Sequence, residues 1–111
     1  MLKVESFKRP DWTEFIHAGC HNVSFKALQQ LPDFALAMLK IEAHGTIHEH
    51  PADYDIDVYC LEGEGMVSMG DEEAPIKAGD RIRWLAGINH QLWTLDSPMI
   101  TLMVEYEKTE M

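Results

Sequence analysis

The stretch HGTIHEHPADYDIDVYCLEGEG, running from His44 to Gly65, decides how this chain folds. It holds three of the chain's six histidines among six carboxylates. His48 and His50 are separated by one residue. On an extended strand, positions i and i+2 share a side, so both imidazoles can converge on one point. A metal site built on a strand uses this spacing, whereas a helical one uses i and i+4.

From Val23 onward the texture is β-rich throughout. Short runs VSFKAL, FALAMLKIEA, IDVYCLEG, GMVSM, DRIRWL, HQLWTL and MITLMVEY are separated by Gly, Pro and Asp. Seven or eight strands with close turns predict an all-β barrel or sandwich. The last run alternates, with Ile100, Leu102 and Val104 against Thr101, Met103 and Glu105. No helical pattern of strand-connecting length lies between the runs, which disfavours parallel βαβ units. Gly63 and Gly65 read as a tight hairpin turn, and Gly79-Asp80 and Ala86-Gly87 as further turns. Before Val23, Asp11 followed by Glu14 resembles a capping box and Gly19 suits a helix end, so a short helix through Trp12 to Ala18 is expected. The chain then divides into an N-terminal extension with that helix over 1–22, a barrel over 23–106 and a frayed tail over 107–111.

A third imidazole is available from His90, in the run GDRIRWLAGINHQLW, which a barrel can bring back to the first two. At this point the sequence resembles the cupin superfamily, whose two motifs read G-x5-H-x-H-x3,4-E-x6-G and G-x5-P-x-G-x2-H-x3-N. The second falls on Gly79, Leu85 in place of Pro, Gly87, His90 and Thr94 in place of Asn, with every spacing kept. The first falls on His48, His50 and Gly63, with Glu42 where its opening Gly would stand. The resemblance implies a jelly-roll barrel, a double-stranded β-helix, with one divalent transition metal in its mouth, and a homodimer. Fe, Mn, Ni, Zn and Cu all suit imidazole ligands.

The departure lies at the family's glutamate. Twelve residues separate His50 from Gly63, where the motif allows ten or eleven. Counting forward from His50 by the longer gap reaches Asp55, by the shorter gap Tyr54, and counting back from Gly63 reaches Ile56. A one-residue bulge near Asp55 would turn its carboxylate inward while Val58 and Cys60 keep their register. Asp57 is the second candidate, and a centre of three histidines without a protein carboxylate is the alternative.

The remaining features set limits. One domain with one core suits 111 residues. Nine basic against 19 acidic residues give a formal charge of -10, which repels phosphate backbones and anionic membrane surfaces, so neither nucleic acid nor membrane is expected as a partner. The start MLKVESFKRPDW has no signal-peptide core and no segment approaches the roughly 20 apolar residues of a membrane span, so a cytoplasmic location is expected. Cys20 and Cys60 read as reduced thiols.

Trp84, Trp93, Met38, Met66, Met103, Phe25 and Phe34 are core or pocket lining. Arg83, with Arg81, is either a substrate-carboxylate clamp inside the barrel or part of a surface ion pair, and Tyr54 is a second substrate-side candidate. His44 reads as a surface residue or a support to the site, His17 and His21 as solvated. A metal-dependent oxidoreductase of dioxygenase type, acting on a small organic molecule, is the function these features favour. A metal-dependent isomerase or lyase and a non-catalytic small-ligand sensor are the alternatives.

Overall fold

The computed structural model describes residues 2–4, 11–16, 19–31 and 33–106, with residues 30, 31 and 48–50 described by their backbone alone. Among the described residues there are eight strands: β1 (Thr13–Glu14), β2 (His21–Leu31), β3 (Phe34–His50), β4 (Asp55–Met69), β5 (Glu72–Lys77), β6 (Arg81–Trp84), β7 (His90–Trp93) and β8 (Met99–Tyr106). All pairings are antiparallel. Among the described residues no helix is long and apolar enough to cross a membrane.

Two long strands close the barrel. The first half of β3 pairs with β8 and its end with β7. The first half of β4 likewise pairs with β8, and its second half with β7. The circuit β3–β7–β4–β8 therefore closes on itself, while β2 extends it beside β3, and β5 and β6 extend it beside β4. This is the jelly-roll barrel expected from the sequence, with the core inside the circuit: Leu39, Ile41, Ile47, Val58, Leu92 and Met99 are each at most 6 % exposed.

A strand that serves two sheets must bend, and each bend has a local cause. In β3 it falls at Glu42–Gly45, where His44 takes a φ of 57°. Thr94 clamps it, its Oγ1 donating to the Glu42 carbonyl and accepting from the Gly45 amide at 2.9 Å. In β4 the register slips between Cys60 and Glu62, which leaves Leu61 as an extra residue, and Gly63 follows with a φ of 80°. Inward positions are Ile56, Val58 and Cys60 before the slip, and Gly65 and Val67 after it.

Three expectations change. LEGEG is not a hairpin turn, because β4 runs unbroken through it. Its glycines are there for close approach: a Cβ on Gly63 would stand 2.1 Å from the Pro98 carbonyl oxygen, and one on Gly65 2.6 Å from that of Trp93. The expected N-terminal helix is replaced, where it is described, by strand β1. Thr13 and Glu14 pair with Phe25 and Ser24, the Phe15 amide donates to the Val23 carbonyl at 2.9 Å, and residues 17 and 18 lie outside the described residues. A seven-residue helix has little stability of its own, whereas the edge of β2 offers unpaired backbone groups and a place for Phe15 edge-on to Phe25 at 5.4 Å. Finally, β5 falls in EEAPIK, where Pro75 hides the strand signal; β5 pairs with β4 alone, and an edge strand tolerates proline. The turns at Gly79 and Gly87 are present, with φ values of 96° and 79°.

Candidate functional site

His90 opens β7 and is 1 % exposed. Its ring lies flat on Trp84, centroids 4.0 Å apart and planes within 7°, so a fully buried indole fixes the imidazole's plane. Trp84 is in turn the register partner of Ile56. On the other side of β7, His90 is the Cα partner of His50. That pairing depends on a second slip. Thr46 and Ile47 meet Trp93 and Leu92, and regular pairing would then bring residue 49 opposite His90. One extra residue in β3 between Ile47 and His50 makes position 50 the partner instead. The bulge expected near Asp55 is therefore absent, since Asp55 to Cys60 pair with Tyr106 to Thr101 in unbroken register. Between His50 and Gly63 the irregularity lies in β4 at Leu61, and another lies in β3 just before His50.

His90 forms part of the wall of a cavity of about 240 Å³ inside the barrel. Phe25, Leu39, Ile47, Ile56, Trp84 and Met103 supply much of its apolar surface. Glu105 also lines it, opposite Ile56 in the β4–β8 register. Burial in this apolar wall raises the Glu105 carboxyl above its ordinary value of 4.5.

The two aspartates go elsewhere. Ile56, Val58 and Cys60 take the inward positions of β4, so Asp55, Asp57 and Tyr59 face outward. Asp55 Oδ1 accepts the Ala86 amide at 2.9 Å and braces the turn before β7. Asp57 is 1 % exposed because Arg83 and Tyr106 cover it: Arg83 Nε and Nη2 donate to its two oxygens at 2.7 and 3.1 Å, and the Tyr106 hydroxyl donates at 2.9 Å. The Arg83 hydrogen bonds, and then that of Tyr106, hold its carboxyl below the ordinary 3.8 against the opposing effect of burial. Arg83 is thus committed to an ion pair outside the barrel and is not available as a clamp within it. Tyr54 is exposed in the β3–β4 connection and does not line the cavity.

Ile56, which the backward count from Gly63 reached, holds the inward position where the motif carries its glutamate. Among the described residues no group of three or more His, Cys, Asp or Glu side chains comes together as a metal site. The described structure gives the His90 ring and the backbone positions of His48 and His50. His44 lies on the surface, its Nε2 3.7 Å from an Asp96 oxygen, and His21 is exposed. His17 is outside the described residues. Sequence reasoning does not single out Glu105 as a cavity residue, because in MITLMVEY the mixed face looks like the solvent side. The signal was the alternation itself: Met99, Thr101 and Met103, on the face of Glu105, are the buried set.

A family model described as a cupin domain matches residues 36–105. No curated protein matches the chain. Among solved structures it is similar to KdgF from Halomonas sp., at 16% identity and a TM-score of 0.79 over 91% of this chain and 89% of that one. It is similar to a cupin-2 domain from Rhodospirillum rubrum, at 15% and 0.81 over 96% and 77%. The polyketide cyclase RemF from Streptomyces resistomycificus is similar at 18% and 0.80, over 96% and 81%. Identities this low establish a shared fold alone.

Proposed function

The chain belongs to the cupin domain family, and on that premise we propose that it is a metal-dependent cupin acting on a small organic molecule held in the barrel. His48, His50 and His90 hold one divalent transition metal, from among Fe, Mn, Ni, Zn and Cu, without a protein carboxylate. The Cα pairing of His50 with the buried His90, at the wall of an apolar cavity, carries this reading. The donor set fits: neutral imidazoles suit these metals, and Asp55 and Asp57 are engaged on the outer face. A divalent metal on three neutral ligands keeps net positive charge and open positions, which supplies Lewis-acid or redox chemistry.

The chain's own residues do the rest. Trp84 fixes the plane of the His90 ring, Ile56 and Met103 give the cavity apolar walls, and its volume suits a molecule of about one substituted ring, since an apolar cavity of about 150 Å³ already admits benzene. An oxygen-using oxidoreductase is the reaction class proposed. RemF, of the same fold, is named as a polyketide cyclase, so the fold also hosts a cyclase.

The test is oxygen consumption across a panel of small cyclic and enolic substrates, using wild type and His90→Ala. Consumption that requires His90 is the expected result. Metal retention with no turnover of any kind would point to a ligand sensor, and turnover without oxygen to an isomerase or lyase. The proposal extends to a homodimer. Ile100, Leu102 and Val104 lie part-buried on the outer face of β8 and Leu61 is exposed beside them, an apolar strip that a second copy would cover. Sedimentation should then report twice the 12.7 kDa chain mass.

A further inference from the structure

A carboxyl group in an apolar cavity needs a reason. Glu105 lines the barrel cavity between two apolar strand neighbours, Ile56 on β4 and Ala35 on β3. Among the described residues no hydrogen bond or ion pair engages its side chain, and burial is the sole influence on its titration. Among the described residues no lysine or arginine lines the cavity. Among the described residues the polar side chains that share it are Gln29 on β2 and His90 on β7. Glu105 is half-buried; partly removing a carboxylate from water without a partner is costly, and a polar group so placed at a cavity wall is a candidate for binding a partner from outside.

We infer that Glu105 is the recognition group of the barrel cavity, accepting a hydrogen bond from a hydroxyl group on a ring-sized, otherwise apolar ligand. The register places it on the same cavity layer as the metal-site histidine. Glu105 is opposite Ile56, Ile56 is opposite Trp84, and Trp84 carries the His90 ring. A ligand lying against Ile56 and Trp84 has Glu105 at one edge and His90 at the other. The surrounding side chains fit an apolar body, and a neutral hydroxyl supplies the missing donor without adding a second positive charge near the histidines. This inference rests on the reading that the cavity takes the small molecule; it does not need the metal.

The test uses two isomers of nearly equal size, benzyl alcohol, which donates a hydrogen bond, and anisole, which does not. Binding to the purified full chain is measured by calorimetry, with the metal content of each sample recorded. Wild type should prefer the alcohol by about tenfold, the least that a hydrogen bond to a charged acceptor is worth. In Glu105→Met the preference should fall to near unity while anisole binding and metal content stay unchanged, and Glu105→Gln, which keeps an acceptor, should retain part of it. Equal binding of both isomers to wild type, binding of neither, or a preference that survives in Glu105→Met would overturn the inference. So would loss of metal in Glu105→Met, which would make Glu105 part of the metal centre. A wild type without metal that still shows a Glu105-dependent preference would refute the metal reading and support this one.

Discussion

Two carboxyls sit on the two faces of the barrel wall and should respond to pH in opposite directions. Asp57 is held below its ordinary 3.8 by Arg83 and Tyr106, so its contribution to stability is present above that value and is lost as pH falls through the lower folded value. Arg83 is 47% exposed, which screens the pair, but Asp57 itself is enclosed and would lose its bidentate partner in Arg83→Met. That variant should be less stable at pH 7 in urea unfolding, and the deficit should shrink on going to pH 3. Glu105 is raised above its ordinary 4.5, so its contribution is complete below that value and is lost as pH rises through the folded one. Glu105→Gln should therefore gain on wild type between pH 4 and pH 7; an unchanged difference across that range would contradict the burial of this carboxyl in an apolar wall.

At the scale of elements, the two bends determine where the inward residues fall. Gly63→Ala places a methyl against the Pro98 carbonyl at a positive φ, and should cost roughly 3 kcal/mol in thermal or chemical unfolding. Thr94→Val leaves the buried Gly45 amide without its acceptor and should cost about 2 kcal/mol. These bends also explain what could be read beforehand. The alternation of MITLMVEY and the His48, His50 and His90 spacings are local patterns and were legible. The miscount between His50 and Gly63 shows that a residue is in excess, but not where: a bulge is placed by pairing with distant strands, and the slip inside that interval falls at Cys60/Glu62 rather than at Asp55. The sequence predicts a helix where β1 lies because capping residues are a local signal, whereas the free edge of β2 that captures Thr13 and Glu14 is not.

For the whole molecule, closure of the barrel brings Glu105, Ile56, Trp84 and His90, from four strands, around one cavity. The histidine was visible in the sequence through its motif. The glutamate was not, because knowing which face of β8 is inward requires knowing that the circuit closes. The same closure sends Asp55 and Asp57 outward, so the account's central claim is a centre of three histidines with no carboxylate from β4. Elemental analysis of protein purified without chelator or nickel column tests this most directly, on wild type, His50→Ala, His90→Ala, Asp55→Ala and Asp57→Asn. The account predicts close to one transition metal per chain in wild type and in both aspartate variants, and its loss in both histidine variants. A wild type without metal, or metal lost with Asp55 or Asp57 while the fold is intact, would contradict it.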